Sequence, residues 1–143
     1  MKRSLCVRPL AAAIATAGLF ALGTTASFAA DMKVTLSGDQ EVPPVQTSAT
    51  GAGMLTVNAD KTLSGSVTTK GITGNAAHIH QGAKGKNGPV AIPLTKSGDG
   101  TWTVPAGTKL TDEQMSNLQS GNLYVNVHST AHPDGEIRAQ ITR

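Results

Sequence analysis

From Lys33 to Ile141 the chain is a succession of short runs that alternate apolar and polar residues, broken by clusters of glycine, proline, asparagine and aspartate. Side chains on a strand point to opposite faces in turn, so alternation is the signature of a half-buried strand. Lys33 to Ser37 (KVTLS) gives Val34 and Leu36 to one face. Gly51 to Asn58 and Thr62 to Thr69 are two further runs separated by Asn58-Ala59-Asp60-Lys61, which reads as a hairpin turn. Ala76 to Gly82 (AAHIHQG), Val90 to Leu94, Thr101 to Val104, Leu123 to Ser129 (LYVNVHS) and Glu136 to Ile141 complete the set. Pro93 marks Val90 to Leu94 as an edge, and Pro43-Pro44 makes the stretch from Glu41 a loop or an edge, because proline cannot donate to a strand ladder.

One segment has a different period. Thr111 to Gln119 can form a helix, with Thr111 as N-cap, Asp112 and Glu113 in the first turn, Gln114 at the capping-box position and Gly121 beyond the end. Met115 and Leu118 fall on one stripe. The sequence therefore predicts an all-β domain, a Greek-key β-sandwich or barrel with one short helix near residues 111–120. Beyond residue 29 the only aromatic residues are Trp102 and Tyr124, so the expected core is Val, Leu, Ile, Met and Ala.

The first 29 residues read as a secretory signal peptide. Lys2, Arg3 and Arg8 precede an apolar run from Leu10 to Leu22, and Ser27-Phe28-Ala29 is a small-x-small cleavage pattern. The run is short for a membrane span, and no second one follows, so a retained anchor is the lesser reading. Residues 30–143, about 114 of them, make one domain able to bury a core. The expected location is periplasmic or extracellular, with no membrane span after signal removal. The formal charge of +3 resides in Lys2, Arg3 and Arg8, and the remainder balances nine basic against nine acidic residues. No basic stripe with aromatic interleaving occurs, so nucleic acid is not an expected partner. The single cysteine, Cys6, lies before the apolar run, which leaves residues 30–143 without disulfide or thiolate.

All four histidines lie in or beside two strand-like runs. His78 and His80 share a face of one, with Ala77 and Ile79 opposite. His128 shares a face with Tyr124 and Asn126 on the other, and His132 lies four residues further on. If these strands are neighbours, the imidazoles converge into a surface site. A nitrogen-rich set without thiolate suits copper or zinc. His78, His80 and His128 are the candidate ligands, and His132 is a fourth ligand or a rim residue. Asp134 or Glu136 could add an oxygen ligand or fix a histidine tautomer. Solvated histidines on an outer strand face are the plain alternative. No G-x-S-x-G elbow, phosphate loop or carboxylate pair is present to suggest other chemistry.

Four stretches, LSGDQEVPPV (Leu36–Val45), GAGMLTV (Gly51–Val57), AAHIHQGAKGKNGPV (Ala76–Val90) and GNLYVNVHSTAHPDGEIRAQI (Gly121–Ile141), resemble the CHRD domain, named from chordin and widespread in bacterial secreted proteins. They occur in the family's order, although Ala139 stands where glycine is frequent. The resemblance implies an all-β domain. In chordin the domain belongs to an extracellular protein that binds growth factors, which implies another secreted protein as a partner. A more distant likeness, H-x-H with a glycine-rich loop and a late V-x-V-H strand, is to copper/zinc superoxide dismutase. It implies His78, His80 and His128 as copper ligands. The chain lacks that family's disulfide and most of its zinc loop, and Arg138 is about one residue out of step with its active-site arginine. Three functions follow as expectations: a secreted binder of copper or zinc, a metal-free extracellular interaction module, and a dismutase-like enzyme. The first is preferred, with no catalytic residue assigned.

Overall fold

The computed structural model describes residues 29–143. The signal peptide read over residues 1–29 therefore lies, but for Ala29, outside the described residues. Nine strands and one helix follow in order: β1 (Ala30–Ser37), β2 (Thr50–Val57), β3 (Leu63–Lys70), β4 (Gly74–Gln81), β5 (Val90–Pro93), β6 (Thr95–Gly98), β7 (Thr101–Thr103), α1 (Asp112–Gln119), β8 (Leu123–Ser129) and β9 (Ile137–Ile141). All pairings are antiparallel, and the strands form one sheet in the order β5-β4-β8-β9-β1-β2-β3-β7-β6.

That order forces the sheet to curl. Its two outermost strands, β5 and β6, are consecutive in the chain and joined by Leu94 alone. A flat sheet of this width would hold them about 38 Å apart, at roughly 4.8 Å per strand, and a single residue cannot span that gap. The sheet instead rolls into a nearly closed barrel, and the Leu94 N–H donates to Ala77 O at 2.9 Å. Residues 90–98 act as one strand split at Leu94, whose first half pairs with β4 and whose second half pairs with β7. The connections from β3 to β4, and from β7 through α1 to β8, cross the barrel in Greek-key fashion.

Alternation decides what fills the barrel. Val34, Leu36, Ile79, Val125, Val127 and Ile137 all point inward and are at most 1% exposed. Burial of such a side chain contributes roughly 1.5–3 kcal/mol, and a one-residue slip would turn it outward, so the register is firmly set. Trp102 joins this core, so the expected all-aliphatic interior is corrected at that position. The helix begins as its sequence dictates: Thr111 Oγ1 accepts from Gln114 N at 3.1 Å, and Gln114 Oε1 accepts from Thr111 N at 2.9 Å. Thr111→Ala should lower stability by about 1 kcal/mol in urea denaturation, the usual worth of such a cap.

Every residue of β8 is buried, including those on its polar face. Two loops cover that face. Asn87 Nδ2 donates to Val42 O at 2.8 Å, which ties the loop after β4 to the one after β1. Thr47 Oγ1 donates to Glu136 Oε1 at 2.7 Å and anchors the far end of the first loop.

Candidate metal centre

The polar outer faces of β4, β8 and β9 meet in cross-strand rows. His78 pairs with Asn126, which pairs with Arg138; His80 pairs with Tyr124, which pairs with Gln140. His128 lies one step along β8, opposite Ala76. Side chains in adjacent antiparallel strands are close enough to interact, so this register brings three imidazoles together from residues 50 apart in the chain. Ligand nitrogens of His78, His80 and His128 all lie within 4.8 Å of one another. His78 Nδ1 and His128 Nε2 are 3.0 Å apart. Two nitrogens bound at about 2.0–2.1 Å to one ion stand near that separation.

Backbone carbonyls orient two of the rings. His80 Nδ1 faces Gly88 O at 3.0 Å, and His128 Nδ1 faces Pro133 O at 2.9 Å. A carbonyl only accepts, so Nδ1 carries the proton in both rings and the Nε2 lone pairs turn toward the cluster. His80 Nε2 is buried with no hydrogen-bond partner among the described residues. Burial is the main force holding the His78 pKa below the usual histidine range, with the His128 and His80 rings adding to it. Burial likewise lowers that of His80, against the Gly88 hydrogen bond and with help from His128 and Arg138. Both rings are therefore neutral at pH 7, the form that binds a metal.

The site is recessed rather than on the surface, since His80 and His128 are each only 9% exposed. His132 is not one of the converging ligands. It sits in the turn after β8, where its backbone N–H donates to Ser129 Oγ at 3.2 Å, and it lines a small cavity with Glu41, Pro43 and Asp134. Asp134 is exposed, and Glu136 accepts from Thr47 and Ser129 rather than from a histidine. The partners that fix the tautomers are thus carbonyls, and neither Asp134 nor Glu136 takes that role.

Three residues around the site had no structural role assigned from the sequence. Glu41, 5% exposed, accepts from Asn126 Nδ2 through both carboxylate oxygens at 3.1 Å. Burial pushes its carboxyl up to about 7, against the Arg138 charge and the Asn126 amide. Gly135, at φ +130°, packs its bare Cα on Asn126, where a Cβ would come within 2.5 Å of the amide. Arg138 is 1% exposed, its guanidinium carbon 3.4 Å from the Tyr124 ring centroid, and it donates to Lys86 O at 2.8 Å and Asn87 Oδ1 at 3.1 Å. A charge on the polar face of the strand that follows the His128 strand was the available signal. The family model of the CHRD domain matches residues 32–141. No curated protein and no solved structure matches the chain.

Proposed function

The chain belongs to the CHRD domain family, and from that premise we propose that it is a secreted or periplasmic protein that binds copper or zinc through His78, His80 and His128. The observation that carries this reading is the buried, unpartnered Nε2 of His80 beside two converging imidazole nitrogens. A buried acceptor without a donor is costly, and a cation is the partner that would satisfy all three nitrogens at once. Of the two metals, both accept a three-nitrogen set with an open position. His132 belongs to the rim of this site.

Secretion rests on the reading of residues 1–29. No helix among the described residues is long and apolar enough to cross a membrane.

An open coordination position is necessary for redox catalysis and not sufficient for it. Arg138, the cation nearest the site by register, is buried and spends its donors on the covering loop and on Gln140. It offers no free guanidinium to an anionic substrate, which favours a binder over a dismutase-like enzyme. Isothermal titration of residues 30–143 with Cu(II) and with Zn(II) should give one ion per chain for at least one metal. No heat of binding with either would end this reading and leave the metal-free interaction module.

A further inference from the structure

His80 has one neighbouring side chain stacked on it. Its ring lies nearly parallel to that of Tyr124, with 6° between planes and 4.9 Å between centroids. The Tyr124 hydroxyl accepts from Gly88 N–H at 3.0 Å and lies 3.4 Å from Gly88 O, the carbonyl that takes the His80 Nδ1 proton. We propose that Tyr124 is a positioning residue that sets His80 as an Nε2 donor, clamping its ring and anchoring the carbonyl that selects its tautomer.

Three further observations bear on this. Gly88 passes flush against β4: a Cβ there would stand 1.7 Å from Gln81 O, so the backbone itself must be held in place. Without the phenol oxygen, the Gly88 N–H would lose its partner in a half-buried setting, which is unfavourable. Arg138 backs the arrangement. β9 flanks β8 on the side away from β4, so the guanidinium covers the face of Tyr124 opposite His80 and holds residues 86 and 87 of the loop that carries Gly88. The stack His80–Tyr124–Arg138 thus spans three strands and ends on a fixed charge. Tyr124 is 2% exposed, which leaves its hydroxyl no role at the surface.

The proposal rests on the metal reading only for its effect on affinity; the tautomer is a property of the metal-free protein. Long-range proton–nitrogen NMR of the metal-free chain should show His80 protonated at Nδ1 alone. Tyr124→Phe keeps the stack and removes the hydroxyl; Tyr124→Leu removes both. The signature should become a mixture in the first and be lost in the second, with amide spectra reporting an intact barrel. Cu(II) affinity should fall about tenfold in Tyr124→Phe and nearer a hundredfold in Tyr124→Leu, the range seen when a ligand's outer partner is lost. Should Tyr124→Leu fail to fold, Tyr124→Phe alone decides. Wild-type tautomer retained in the variants overturns the proposal, whether or not the protein binds metal. A tautomer lost in the variants of a protein that takes up neither metal sustains it and removes the metal reading instead.

Discussion

Replacing both His78 and His128 by alanine should abolish high-affinity Cu(II) or Zn(II) uptake while the barrel stays folded. Their nitrogens stand 3.0 Å apart, one from β4 and one from β8. Losing an outer partner of a metal ligand costs 10- to 100-fold, so losing two ligands should cost on the order of a hundredfold or more. The fold has little to lose. Both side chains project from the outside of the barrel, away from Ile79, Val125 and Val127. Of the two hydrogen bonds removed, that between His78 Nδ1 and His128 Nε2 vanishes with both its partners, and that from His128 Nδ1 to Pro133 O is worth about 1 kcal/mol. Titration calorimetry and urea denaturation of the same preparation separate the two effects. Wild-type affinity in the double variant would exclude this cluster as the metal site. His132→Ala serves as the comparison and should bind as the wild type does, because His132 is not among the converging ligands.

Glu41→Gln should change the pH dependence of stability by on the order of 3 kcal/mol between pH 4.5 and pH 8. Burial holds the folded carboxyl at about 7, above its ordinary value of 4.5. The folded state thus grips this proton more tightly than the unfolded chain does. Its contribution to stability is complete below about 4.5 and is lost as pH rises through about 7, at about 1.4 kcal/mol per unit of difference. His78 and His80 work in the opposite sense: their folded values lie below the ordinary one, so their contribution falls away as pH drops below 6.5. The wild-type curve sums these opposing slopes, and only its difference from the Glu41→Gln curve isolates the carboxylate. Glutamine fits the same place and still accepts from Asn126 Nδ2. The variant should match the wild type near pH 4.5 and exceed it at pH 8, by a Tm difference on the order of 10 °C. Parallel curves across that interval would mean that Glu41 is not titrating in its buried place.

What was legible in the sequence is what depends on near neighbours. Alternation placed Val34, Leu36, Val125 and Val127 in the core, the H-x-H spacing put two imidazoles on one face, and the capping box of α1 is a four-residue pattern. Convergence of His128 with His78 needed one assumption, that β4 and β8 are adjacent, and the resemblance to a known domain supplied its context. The rest turns on pairs far apart in the chain. Glu41 meets Asn126 across 85 positions, and Arg138 meets Asn87 across 51. No local pattern distinguishes a glutamate in a proline-rich loop that stays in solvent from one pressed onto a distant strand. The recessed site and its carbonyl-set tautomers follow from the covering loops, and those are shaped by such distant pairs.

The strand split at Leu94 has a bearing on how the protein behaves in a crowd. Each half of residues 90–98 is paired on one side only, so each leaves a short row of backbone groups that another chain could recruit as a template for intermolecular β-pairing. Both rows are poor templates. β5 is four residues long and ends in Pro93, which has no N–H to offer. β6 is also four residues long, is exposed throughout, carries Lys96, and is kinked by the register shift between Lys96 and Gly98. Short length, proline, a charge and an irregularity are the features that keep sheet edges from aggregating. The two terminal strands of this nine-stranded sheet thus offer four residues each to a passing chain, and both are guarded.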